Sequence, residues 1–168
     1  MMVNVNRSIL AVLMLGLSAF TSCRQDPAPD TFPDSAVYSW LETCAASSDY
    51  STFCKVARAA QVVFTTADSY ANGPTLVVVS NAGMDAYLSK RGQTSNDLIN
   101  SSSAANAFIF DYYLKGNIAK SNAIKTLSDK TVQVSSTSAG LTLNGVVVQK
   151  TQTLSSKAPV VFVNQTLF

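Results

Sequence analysis

Histidine is missing altogether from the 168-residue sequence. That absence removes the commonest general base, the commonest metal ligand and every triad built on an imidazole. Glutamate is almost missing as well. Glu42 stands alone, so no loop of alternating acids closed by a glutamate exists to hold calcium. Charged residues make up only 13% of the chain, the net charge is +2, and lysine and arginine form no run. A clustered cationic face for nucleic acid is therefore not suggested. Also lacking are a Gly-x-Ser-x-Gly elbow, a Ser-x-x-Lys pair and a glycine-rich phosphate loop. Asp85, Asp97 and Asp111 are scattered acids without the spacing of an acid/base pair, and read as surface carboxylates or local caps. The expectation is a protein that is not an enzyme and uses neither metal nor cofactor.

Hydrophobic residues, at 47%, are enough for a proper core, and the length suits one domain. The first residues read as a targeting segment. Arg7 precedes the apolar stretch Ile9 to Phe20, which is too short to span a bilayer comfortably. It ends in Phe20-Thr21-Ser22-Cys23, which resembles a bacterial lipobox, with Phe20 where an aliphatic residue is usual. Residues 1–22 would then be a lipoprotein signal peptide and Cys23 the lipidated residue; the plain alternative is a secretory signal with an incidental cysteine. Acyl chains on Cys23 would anchor the protein without a transmembrane helix. Arg24 after the cysteine, by the familiar enterobacterial sorting rule, points to the outer membrane or cell surface. Residues 23–34, with three prolines and three aspartates, read as a stiff solvated tether. Cys44 and Cys54 remain as an even pair in an oxidising compartment: either a disulfide worth about 2–3 kcal/mol, or two buried thiols packing as small hydrophobes.

Ordered structure is expected from Ser35. Val37, Trp40, Leu41 and Cys44 fall on one face of a helix over Ser35 to Ala46, with Asp34 or Ser35 as N-cap. A second helix fits Tyr50 to Val63. Asn72-Gly73-Pro74 breaks the chain, and Thr75 to Val79 reads as a buried strand. Ser80 or Asn81 caps a short helix holding Met84, Tyr87 and Leu88. Residues 89 to 106 read as a polar loop with one turn of helix around Leu98-Ile99. Lys90-Arg91 in that loop is either a solvated pair or a contact for an anionic polymer. Phe108, Phe110, Tyr112 and Tyr113 read as core rather than as a sugar-stacking platform. Strands follow at Thr131 to Val134, Leu141 to Leu143, Val146 to Val148 and Val160 to Val163, with Asn144-Gly145 a two-residue hairpin signal. The class is α+β, in a single domain over 35–168.

Three segments, Thr75 to Met84, Phe108 to Gly116 and Val161 to Phe168, resemble the signature segments of the fasciclin-like (FAS1) family in order and spacing. Ser80-Asn81 stand at the family's Thr-Asn place and Met84 at its buried aromatic, while Val79 replaces a usual proline. Asp111-Tyr112 occupy the central Tyr-His positions. Phe162 takes the place of a histidine, and Gln165 that of an aspartate, in the closing strand. The resemblance implies a wedge of about seven strands with several helices along it. It further implies a non-catalytic adhesion or binding domain that contacts matrix, envelope, a partner protein or a polysaccharide. Without Tyr-His in register, and without Arg-Gly-Asp, integrin-type recognition is not expected. A second reading is an accessory or small-ligand carrier subunit of an envelope complex, with a groove between helices and sheet beside the apolar central segment.

Overall fold

The computed structural model describes residues 35–62, 64, 73–138, 140–155 and 157–168. The expected signal segment (residues 1–22), Cys23 and the expected tether to Asp34 lie outside the described residues, as do Val63 and Asn72. The domain is α+β.

Helix α1 (Ser35–Ala45) buries Val37, Leu41 and Cys44, the face its apolar spacing defines. Helix α2 (Ser51–Ala59) buries Phe53, Cys54, Val56 and Ala57. It ends about a turn earlier than its sequence pattern predicts, because tertiary partners capture the backbone beyond it. Ala60 is extended, and the Gln61 N–H donates to Asn106 Oδ1 at 2.6 Å. The Tyr38 hydroxyl donates to the Val62 carbonyl at 3.2 Å and accepts from the Phe64 N–H at 3.3 Å. A disulfide joins Cys44 to Cys54 with their Cα atoms 5.9 Å apart, so α1 and α2 are one covalent unit.

Strand β1 (Thr75–Val79) is buried at every position, as befits a β-branched run covered on both faces. Three short helices follow: α3 (Asn81–Ser89), α4 (Ser95–Ile99) and α5 (Ser102–Phe110). The expected turn at Leu98-Ile99 is α4. The polar stretch does not continue as loop to residue 106, however. Ser101 accepts the Ala104 N–H at 3.3 Å and starts α5, which buries Ala105, Phe108 and Ile109 on one face.

The remaining strands are β2 (Tyr113–Leu114), β3 (Ala123–Lys125), β4 (Thr131–Thr137), β5 (Gly140–Leu143), β6 (Val146–Thr153) and β7 (Pro159–Val163). They form a seven-stranded sheet in the order β2-β1-β7-β6-β5-β4-β3. β1 and β7 run parallel, with Leu76 opposite Val160 and Val79 opposite Val163, and β7 too is buried throughout. The sheet has the seven strands expected, and it curls until its ends meet. Leu114 bridges Thr126, the Lys115 N–H bonds the Lys125 carbonyl at 2.8 Å and the Leu127 N–H bonds the Tyr113 carbonyl at 3.0 Å. This near-barrel covers edges that would otherwise be exposed.

Leu143 faces Val146 across Asn144-Gly145. Both turn residues have positive φ, 49° and 82°, the geometry of a primed hairpin turn. Asn144 also ties the turn to its surroundings: its Oδ1 accepts the Gln133 N–H at 2.8 Å and its Nδ2 donates to the Leu167 carbonyl at 3.4 Å. A Cβ at position 145 would meet nothing within 4 Å, so the cost of adding it is strain at a positive φ rather than a clash. Gly145→Val is expected to destabilise by about 1–2 kcal/mol, through a β-branched residue held at positive φ. Thermal unfolding measures it, and a melting temperature equal to wild type would contradict the turn.

Candidate functional site

The positions singled out by the family resemblance do not converge on one site. Ser80, directly after β1, caps α3 by accepting the Gly83 N–H at 3.2 Å, and its hydroxyl donates to the Asn164 carbonyl at 3.3 Å. Asn81 is a four-way clamp. Its N–H donates to the Asp49 carbonyl at 2.7 Å, and its Oδ1 accepts the Thr52 N–H at 2.9 Å, satisfying an orphan donor at the start of α2. Its Nδ2 reaches the Ser48 carbonyl at 2.8 Å and Ser51 Oγ at 3.2 Å. One side chain thus fixes the α1–α2 corner to the end of β1. Met84 is fully buried beneath.

Asp111 follows α5, where a carboxylate opposes the helix dipole. Two partners offset this: Ser128 Oγ donates to it at 2.6 Å and Lys130 Nζ lies 2.7 Å from Oδ2. Tyr112 is buried, stacked on Phe108 at 4.7 Å and edge-on to Phe53 at 5.9 Å. Its hydroxyl accepts the Leu167 N–H at 3.2 Å. Burial pushes its pKa well above the ordinary phenol value. Phe162 lies mid-strand in β7, against the rings of Tyr50 at 4.8 Å and Trp40 at 6.0 Å. Of the central aromatics, Phe108, Tyr112 and Tyr113 are core and Phe110 is partly exposed.

What Ser80, Gly83 and Tyr112 do share is a strap, residues 164–168, that runs on from β7. The resemblance extends the closing strand through this segment, but β7 ends at Val163. Gly83 allows the strap to approach α3 closely, since an added Cβ would sit 2.6 Å from the Asn164 carbonyl oxygen. Between α3 and the strap lies an open groove of about 550 Å³. Ala82, Gly83 and Ala86 leave room on the helix side, with Tyr87, Lys90 and Arg91 at one end. The Arg91 guanidinium stacks 3.9 Å over the Tyr87 ring. Ion pairs among the described residues join Arg58 to Glu42, Lys115 to Asp129 and Lys130 to Asp111; Lys90 and Arg91 enter none. By sequence pattern the two cations fall in a polar loop. Lys90 is in fact the C-cap of α3, bonding back to the Ala86 carbonyl.

Two of the chain's acids have local structural work. Asp97 Oδ2 accepts the Thr94 N–H at 2.6 Å and the Thr94 hydroxyl at 2.8 Å, capping α4. The backbone bond, then the hydroxyl, lowers its pKa. Asp129 is lowered by the hydrogen bond and charge of Lys115, 2.6 Å away. Among the described residues no group of three His, Cys, Asp or Glu side chains is placed to hold a metal ion, and no helix is long and apolar enough to cross a membrane. No family model matches the chain, and no curated protein matches it.

Tyr112→Phe leaves the buried Leu167 N–H without its acceptor. The expected loss is about 1–3 kcal/mol in denaturant unfolding, with faster exchange of the Leu167 amide than in wild type. Unchanged exchange there would contradict the bond.

The two lowered carboxylates also set an acid limb. Both are ionised in folded and unfolded chains at neutral pH, so their stabilisation is then complete. As pH falls past the ordinary value of 3.8, the unfolded chain takes up protons first, and the contribution is gone below the lower folded values. Asp97→Asn should flatten the stability loss below that value and leave the pH 5–8 plateau equally flat. A slope as steep as wild type would show that Asp97 does not titrate with the fold.

Proposed function

We propose that the protein is an exported lipoprotein, acylated at Cys23 and held in the cell envelope, whose single fasciclin-like domain binds a matrix, envelope or partner molecule without turnover. Support for the family reading comes from the way its three signature segments meet. β1 lies parallel to β7, the Val77 N–H bonds the Tyr112 carbonyl at 2.9 Å and the Tyr112 hydroxyl holds Leu167. The Cys44–Cys54 disulfide agrees with an oxidising compartment outside the cytoplasm. The absence of histidine removes the commonest general base at neutral pH.

The observation that carries the binding reading is the open groove between α3 and the strap. A carrier would instead want a cavity between helices and sheet beside the central apolar segment. The side chains of that segment, Phe108, Ile109, Tyr112 and Leu114, are themselves buried in the core, which favours the binding reading.

Cell fractionation of Cys23→Ser tests the anchor. The variant is expected in the soluble extracytoplasmic fraction with the wild-type unfolding profile, because lipid and core are separate. A variant that pellets with membranes at the wild-type mass would overturn the anchor.

A further inference from the structure

We propose that the groove between α3 and the strap is a subsite for an acidic polysaccharide, whose carboxylate or sulfate groups pair with Lys90 and Arg91. The proposal rests on the binding reading above and names its ligand.

Charge is the first argument. Two adjacent cations border a groove of ligand size, and neither has a carboxylate partner among the described residues. Lys55, Lys120, Lys125, Lys150 and Lys157 enter no ion pair there either, but Lys90 and Arg91 are the two cations that line this groove. Geometry is the second. Stacking on Tyr87 restrains the Arg91 guanidinium through its face, which leaves its in-plane N–H donors for a bidentate contact with an anion. Less side-chain freedom is then lost on binding.

The lining chooses between polymers. Across from α3, the strap brings Asn164 and Gln165, whose amides suit a hydroxyl-rich chain, while the Thr166 hydroxyl bonds Tyr112. Beside them Phe168 is 39% exposed; Lys130 Nζ lies 4.7 Å over its ring, and the ring surface that Lys130 leaves uncovered is of the kind on which sugar faces pack. An acidic peptide is less well served. The strap forms no strand, so it presents no regular edge for strand addition, and the mixed lining is no apolar trough for a helix. Lys90 and Arg91 also sit at the negative end of the α3 dipole, which favours cations there for stability alone. A role confined to the helix would show in unfolding and not in binding.

The test uses the full chain carrying Cys23→Ser, titrated with polygalacturonate and chondroitin sulfate, and with dextran and poly-glutamate as neutral and peptide comparators. Binding to at least one acidic glycan and not to dextran is expected. Lys90→Ala with Arg91→Ala should weaken it by roughly tenfold or more, with the fold retained. Lys55→Ala with Arg58→Ala removes the same charge on α2 and should have little effect. The proposal is overturned by no binding to either acidic glycan, by equal weakening in the two double variants, or by poly-glutamate binding as tightly as the glycans. If the glycans fail while the protein still binds whole cells, this assignment falls and the general binding reading stands.

Discussion

The parallel pairing of β1 with β7 brings Leu76–Val79 alongside Val160–Val163, segments separated by most of the domain. Both strands are buried on both faces, and each fully buried valine contributes roughly 1.5–3 kcal/mol by transfer. Nearly everything else is positioned by this pair. β2 and the closure to β3 hang from the free side of β1, and the β4–β6 meander hangs from β7. At its end the Ser80 N–H bonds the Val163 carbonyl at 2.9 Å, which delivers α3 and the strap to the same place. Such a contact closes a long loop before it gains anything, so the flanking local structures must be ready to pack on it.

From that end point the groove inherits its rigidity. The helix wall is fixed by the Asn81 clamp and by the contact of Gly83 with Asn164. The strap has no ladder of its own and is held by side chains instead. Tyr112 takes the Leu167 N–H and Asn144 the Leu167 carbonyl. Burial of Tyr112 and the hairpin turn at Asn144 therefore act on the proposed binding surface at a distance, through the strap they secure. The disulfide adds a further constraint, because it holds α1 and α2 as the unit that Asn81 grips.

Elements with one strong signal were legible from the sequence. The α1 stripe, the β-branched runs of β1 and β7, the Ser80 cap and the Asn144-Gly145 turn each follow from local chemistry. Others have no such signal. β2 and β3 are two and three residues long and exist only because the barrel closes on them. β6 runs on to Thr153 through a polar stretch that has no buried residue to mark an inner face. α5 starts inside a serine-rich stretch whose helical face becomes apolar only at Ala105, Phe108 and Ile109. The end of α2 depends on Tyr38 and Asn106, which are remote in sequence. Ser80-Asn81, Asp111-Tyr112 and Phe162 were picked out through a resemblance, and their roles are those of clamp, helix-end pair, strap anchor and core ring. The groove left no pattern because it is made by missing bulk at Ala82, Gly83 and Ala86 beside irregular chain.

Native-state hydrogen exchange tests the central claim, that the β1–β7 pairing governs the whole domain. Amides of Val77 to Val79 and Val161 to Val163 should exchange only through global unfolding, with the same free energy and denaturant dependence as the unfolding transition. The β4–β5 hairpin and the strap should open at lower cost. Exchange of β7 by local opening while β4 and β5 stay protected would contradict the account.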